Sequence, residues 1–318
     1  MLETRAQGEL EPQRIILFVV ALAVLPGQVE ISYTRIQYRR CAMTEVDGAL
    51  AQNTYSLATG AGDPAARLHL LDEIYGASTR QMLLECGLKP GMRVADMACG
   101  VGTVACWIAD QVGQTGKVVA VDISSAQLDV ARETWKACPD LPEIDFVEAS
   151  AYATGMPSES FDIVHARLLL CHLDQPDKAL REFHRLLKPG GVVVCHELHL
   201  SGVVTYPPCS HHQRSLEIAN ARAESMGVSY DFGLKLPLAL IDAGFQAPVV
   251  RMETPIYLSG LRKSLWEWTF IEASEGIVSN HVASAEEVAA VIAGMRSTRE
   301  DERVLIAQWP MVGAWAKK

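Results

Sequence analysis

Val94-Ala95-Asp96-Met97-Ala98-Cys99-Gly100-Val101-Gly102-Thr103-Val104-Ala105 is the stretch that decides the fold. A short apolar strand, Arg93 to Met97, runs into a G-x-G-x-x-A turn that opens a helix over Thr103 to Val112. Glycine lets the chain turn tightly and lets a ligand reach the main chain, while the helix start offers free N–H groups. Alone, the pattern is common. Asp122 strengthens it: it ends the next apolar run, Lys117 to Asp122, twenty positions after Gly102, where a carboxylate can accept hydrogen bonds from both hydroxyls of a ribose. Turn and acid together indicate a nucleoside-containing cofactor.

Asp96, four residues before Gly100, separates two cofactor classes. A nicotinamide dinucleotide brings a doubly anionic pyrophosphate to this turn, and a carboxylate about 4 Å away repels each charge by roughly 4 kcal/mol at an effective dielectric near 20. S-adenosylmethionine brings an ammonium and a sulfonium instead, both favoured by a nearby acid. The expectation is S-adenosylmethionine, with a nicotinamide-dependent oxidoreductase and a non-catalytic S-adenosylmethionine-binding protein as the alternatives.

Outward from the turn, Ile144 to Val147, Phe161 to Ala166 and Val192 to Glu197 read as further buried strands, with helices over Ser125 to Ala137 and Lys178 to Leu187 between them. This alternation indicates an α/β, Rossmann-like doubly wound sheet. Val249 to Tyr257 and Arg303 to Trp309 look like two final strands, separated by a helical stretch from Leu261 to Met295. The expected organisation is an N-terminal extension over 1–42, a helical lid over 43–87, a cofactor-binding core over 88–199, and acceptor-pocket insertions with C-terminal strands of the same domain over 200–318. The apolar run Ile15 to Leu25 is too short to span a bilayer comfortably and lacks the flanks of an export signal, so Met43 is the expected functional start.

A net charge of −10 opposes binding to a phosphate backbone, so no nucleic-acid partner is expected. The eight cysteines include no C-x-x-C pair and several sit in apolar runs, which reads as reduced thiols in a cytoplasmic protein with no stable membrane insertion. His211-His212 has no acidic partner at ligand spacing, and no metal is expected.

Four segments in order resemble the class I S-adenosylmethionine-dependent methyltransferases. Val94 to Gly102 resembles the family's first motif and Val119 to Ser124 its second; Ser160 to Arg167 is similar to its fourth-strand motif, and Leu186 to Gly191 to the turn before its fifth strand. Asn53-Thr54-Tyr55 and Leu305 to Lys317 look like small-molecule methyltransferases of the ubiquinone/menaquinone-biosynthesis type. The resemblance implies a seven-stranded sheet with its last strand antiparallel. It places Asp96, Ala98 and the Gly100 and Gly102 backbone beside the methionine part of the cofactor, Asp122 on the ribose and Ile123 on the adenine. Ser150-Ala151 stands where the family usually has Asp-Ala at the adenine amine; the Ala151 N–H remains available there. Arg167 would contribute its backbone to the cofactor's amino group, and Tyr55 would close over the cofactor.

The acceptor is expected to be a small molecule methylated at O, N or C. In-line displacement at the sulfonium carbon gains much of its rate from positioning, and a base is required only for a hydroxyl or acidic carbon. Glu197 and His199, two apart at the end of the fifth strand, share a face in extended backbone and are the catalytic candidates, with His196 on the other face. Trp266, Trp268 and Phe270 could wall the acceptor pocket or pack a helical cap on the core.

Overall fold

The computed structural model describes residues 16–25, 28–37 and 64–318. The chain divides into two units, Met1–Val46 and Asp47–Lys318. In the first, β1 (Ile16–Leu25) and β2 (Gln28–Gln37) pair antiparallel, from Ile16 opposite Gln37 to Leu25 opposite Gln28. The apolar run flagged in the sequence is thus one arm of a hairpin.

The second unit runs α1 (Pro64–Glu85), β3 (Arg93–Met97), α2 (Thr103–Val112), β4 (Lys117–Asp122), α3 (Ser125–Lys136), β5 (Ile144–Glu148), β6 (Phe161–Arg167), α4 (Pro176–Leu186) and β7 (Leu187–Leu198). It continues with β8 (Val204–Tyr206), α5 (Ser210–Ser225), α6 (Phe232–Asp242), β9 (Val249–Glu253), β10 (Ile256–Tyr257), α7 (Leu265–Ser279), α8 (Ala285–Glu300), β11 (Leu305–Ala307) and β12 (Met311–Lys317). Seven strands form the main sheet in the order β5-β4-β3-β6-β7-β12-β9, and β12 alone runs antiparallel to its neighbours.

Alternation along the strands builds a core on each face. Ala95, Met97, Val119, Val121, Val164 and Cys195 enter one cluster, and Val94, Val118, Ala120, Ile163 and Val194 the other. Strand order reverses between β3 and β6, and in such sheets ligands bind beyond the carboxyl ends of the strands at that reversal. Asp96 and the glycine turn lie there.

The end of the chain differs from the sequence expectation. Pro255 divides Val249 to Tyr257, leaving β9 in the main sheet while β10 joins β11 and β8 in a separate three-stranded sheet. Arg303 to Trp309 supplies only the short β11, and after Pro310 the antiparallel strand of the main sheet is Met311–Lys317. Proline lacks the N–H a central strand must donate, so both breaks fall at prolines. The irregular stretch from Leu198 to Asp231 contains α5, and the helical stretch beyond Leu261 is two helices, the second capped by the Ser284 side chain accepting from the Glu287 N–H at 3.1 Å. Six of the described cysteines are free thiols. Among the described residues no helix is long and apolar enough to cross a membrane, and no cluster of three or more His, Cys, Asp or Glu could hold a metal ion.

Candidate active site

The turn after β3 takes the left-handed conformation at Ala98 (φ 55°), Gly100 (φ 53°) and Gly102 (φ 81°). It is pinned by the Cys99 N–H donating to the Val121 carbonyl at 2.9 Å and the Gly102 N–H to the Cys99 carbonyl at 3.0 Å. The two glycines serve different ends. A Cβ on Gly102 would sit 3.0 Å from Ala131 Cβ of α3, so its absence lets helix and turn pack; around Gly100 such an atom would meet nothing within 4 Å, and the backbone there is open to a ligand.

Asp122 stands over this turn. Its carboxylate accepts from the Gly100 and Ser124 N–H groups, each at 3.0 Å, which orients it across the mouth of the turn. Burial raises its pKa, and the backbone N–H groups of Ser124, Gly100 and Ile123 hold part of that rise back. Next to it, Ile123 is 68% exposed, an apolar side chain left uncovered beside the polar turn. The Ser150 hydroxyl accepts the Tyr152 N–H at 3.2 Å inside its own turn, and Ala151 packs partly buried against the core.

Asp96 is buried, 2% exposed, as is His165, 1% exposed, which faces it from β6 in register. His165 Nδ1 lies 2.6 Å from Asp96 Oδ1, while Asp96 Oδ2 has no hydrogen-bond partner. An orphaned buried oxygen, a glycine with open space around it, a carboxylate at the end of the next strand and an exposed isoleucine are thus brought to one end of the sheet.

Arg167, at the end of β6, turns its side chain to a different task. Its guanidinium, 11% exposed, donates to Asp72 of α1 at 3.0 Å, and Arg80 donates to the other oxygen at 2.5 Å. Burial alone would raise the Asp72 carboxyl, but the charges of Arg167 and Arg80 outweigh it and hold the carboxyl below its usual range. The pair locks α1 to the sheet beside the site. His196, on β7, joins the same seam: Thr79 Oγ1 of α1 lies 3.0 Å from its Nδ1, and burial followed by the charges of Arg167 and His165 lowers its pKa to about 3. Tyr55 lies outside the described residues.

The two catalytic candidates are placed otherwise than expected. Glu197 is 0% exposed and spends its carboxylate on the turn after β6: Oε1 accepts the Leu169 and Leu170 N–H groups at 3.0 and 2.9 Å, and Oε2 accepts the Cys171 N–H at 3.2 Å. It therefore caps a turn. Burial pushes its pKa up to about 7 against the pull of those donors. His199 Nδ1 lies 2.8 Å from Asp231, which also accepts the Ser201 N–H at 2.8 Å.

The turn that Glu197 caps forms one side of a cavity of about 60 Å³ under the helical insertions. Leu168, His172, Leu198, Leu200, Trp266 and Phe270 are among its lining, with Arg67, Arg222 and Tyr230 as polar members. Leu198 and Leu200, which alternate with Glu197 and His199, line this cavity, and Glu197 and His199 do not. Trp266 and Phe270, four apart on α7, meet edge to face at 5.8 Å and wall the cavity, while Trp268 points elsewhere into the core. His172 packs edge to face on Tyr230 at 5.5 Å; burial, then the charges of Arg67 and Arg222, lowers its pKa to about 4, leaving it neutral at pH 7.

His165, Asp72 and the arginines of the cavity were not anticipated. His165 could have been found: it lies inside the fourth-strand motif, and placing that strand parallel to β3 sets it opposite Asp96. Arg67, Arg222, Trp266 and Phe270 come from α1, α5 and α7, remote in sequence, and carry no motif.

Known proteins bear on this geometry in two ways. The methyltransferase-domain family matches residues 95–195. Ubiquinone/menaquinone biosynthesis C-methyltransferases UbiE are similar: that of Pseudoalteromonas translucida is 38% identical over 112 residues, 35% of this chain and 45% of its own length, and that of Edwardsiella ictaluri 29% identical over 163 residues, 50% and 62%. The chain thus spans about half the length of the curated relatives it matches. In three dimensions the YcgJ protein of Bacillus subtilis shares the fold with a TM-score of 0.53 at 18% identity, over 76% of this chain and 98% of its own. A methyltransferase candidate from Bacillus halodurans does so with a TM-score of 0.51 at 21% identity, over 76% and 99%. Around the turn at Gly100, the chain matches a methyltransferase domain over residues 95–195 and resembles the ubiquinone/menaquinone C-methyltransferases there.

Proposed function

We propose that this protein transfers a methyl group from S-adenosylmethionine to O, N or C of a small, largely apolar metabolite held in the cavity beneath α1, α5 and α7. The observation that carries the reading is the turn from Leu168 to His172: its first residue follows the strand bearing His165 and Arg167, and both its ends line the cavity. One turn therefore borders both ligands.

Bound at the glycine turn, S-adenosylmethionine supplies an electrophilic methyl group that is displaced in line from its sulfonium. Asp122 holds the ribose hydroxyls, Ile123 covers the adenine, the Ala151 N–H meets its edge, and Asp96 with the Ala98, Gly100, Gly102 and Arg167 backbone surrounds the methionine end. Glu197 fixes the turn between the two sites and so sets the direction of approach, a contribution from orientation. The apolar walls exclude water. His172, neutral at pH 7, is the cavity-lining imidazole able to accept a proton where the acceptor must lose one. His199, held by Asp231 and absent from the cavity lining, orders the end of β7.

Residues 43–318 are proposed to suffice for cofactor binding, and Tyr55 to close over the cofactor. A cytoplasmic location without nucleic-acid partners is supported by the six free thiols and the net charge of −10. Calorimetric titration with S-adenosylhomocysteine and with NAD tests the cofactor assignment: binding of the first alone is expected, because a dinucleotide would bring its pyrophosphate against Asp96. Tight NAD binding with no response to S-adenosylhomocysteine overturns it. Transfer of labelled methyl to a panel of phenols, amines and acids then identifies the acceptor.

A further inference from the structure

His165 and Asp96 form a buried pair at the strand-order reversal of the sheet. They lie in register on β6 and β3, with His165 Nδ1 2.6 Å from Asp96 Oδ1. Neither residue is more than 2% exposed. The second carboxylate oxygen, Asp96 Oδ2, is buried and has no hydrogen-bond partner within the protein. Buried carboxylate oxygens are ordinarily satisfied, and one left without a partner calls for a donor.

We propose that His165 is a positioning residue for the amino-acid end of the cofactor: by donating from Nδ1 to Oδ1 it fixes the Asp96 carboxylate and leaves Oδ2 as the oxygen that receives the ligand's ammonium. This rests on the S-adenosylmethionine reading above. The geometry supports it in three respects. A carboxylate on β3 with a free rotation would present either oxygen, and the contact to His165 removes that freedom. The partner comes from the strand across the reversal, so the pair spans the crevice in which this fold binds ligands. The Nδ1 contact also fixes the tautomer of the ring, keeping a proton on the nitrogen that faces Asp96. Because His165 touches Asp96 and not the reacting atoms, its effect falls on binding of the ammonium and not on the adenosine half.

Two ligands separate those halves. S-adenosylhomocysteine carries the ammonium, and 5′-methylthioadenosine keeps the adenosine and the sulfur without it. His165→Leu should lower affinity for S-adenosylhomocysteine by roughly 10- to 100-fold, the loss expected of a weakened charge-assisted hydrogen bond, while 5′-methylthioadenosine binding stays within about twofold. His165→Asn, whose side-chain NH2 can replace the Nδ1 donor, should recover most of the loss. Should the leucine variant not fold, proton NMR of the unaltered protein decides: the imidazole Nδ1–H bonded to a carboxylate resonates downfield of the amides and should shift with S-adenosylhomocysteine but not with 5′-methylthioadenosine. Equal affinity losses for both ligands, or a resonance that moves with both or neither, overturns the role of His165. Failure of the unaltered protein to bind either ligand overturns the cofactor reading itself.

Discussion

Replacing Glu197 by glutamine should change the protein's response to pH more than its stability at any one pH. The amide keeps an oxygen for the Leu169 and Leu170 N–H groups but turns an NH2 donor toward the Cys171 N–H, which then has no acceptor. A buried donor left so costs about 1–3 kcal/mol. Against that cost, burial has raised the native carboxyl from its ordinary 4.5 to about 7, so the unfolded chain surrenders this proton first as pH rises. The group's contribution to stability is full below pH 4.5 and is lost as pH climbs through about 7, by on the order of 3 kcal/mol in all. Glutamine does not titrate. Glu197→Gln is therefore expected to be the less stable protein by about 1–3 kcal/mol near the low end of this window, with the deficit closing or reversing about one unit above its upper end. Urea midpoints of both proteins across the window measure the difference, and other titrating groups cancel in it. A deficit that is constant or grows with pH would refute the claim that an ionising, buried carboxyl caps this turn.

Other perturbations test the remaining parts of the site. Asp122→Ala removes the acceptor for the Gly100 and Ser124 N–H groups and the proposed ribose ligand, so S-adenosylhomocysteine affinity should fall by about 10- to 100-fold in calorimetric titration; unchanged affinity would remove Asp122 from the cofactor site. Ala98→Gly should raise the unfolding free energy by up to about 1 kcal/mol, since a left-handed alanine costs about 1–2 kcal/mol and the added chain freedom of glycine returns part of it; a loss of stability would show that the Ala98 methyl packs better than its backbone suffers. Gly233→Ala should destabilise by about 1–3 kcal/mol in denaturant melts, because its Cβ would stand 2.8 Å from the Glu197 and Leu198 carbonyl oxygens and force α6 away from β7; a neutral result would mean the helix shifts freely.

The glycine turn and the acids around it were legible because their placement is local. Asp96, Gly100 and Gly102 sit within one strand and turn, and Asp122 follows one crossover later, so spacing alone assembles them. The last strand was missed for the opposite reason. Gly313, Ala314 and Ala316 have little strand propensity, and Gly313 is small because α1 presses on β12: a Cβ there would lie 2.0 Å from Met82 Sδ. Glu197 and His199 were correctly placed at a strand end, but alternation gives two faces and does not say which one faces a cavity. That depended on α5 and α7 closing over Leu198 and Leu200. The Arg167–Asp72 lock joins residues 95 positions apart, beyond the reach of any sequence period.

Much of the cavity wall and the glycine turn have separate owners in the chain, and this bears on descent. Arg67, Ala219, Arg222, Trp266 and Ile277 belong to inserted helices, whereas Asp96, Gly100 and Asp122 belong to the ends of central strands. On the proposed function, altering the helices would change the metabolite accepted and leave the residues proposed for the methyl donor in place. Laboratory libraries gain from the same division: randomising α5 and α7 explores new acceptors, and most of the resulting variants should still copurify with, or be captured by, an immobilised S-adenosylhomocysteine resin.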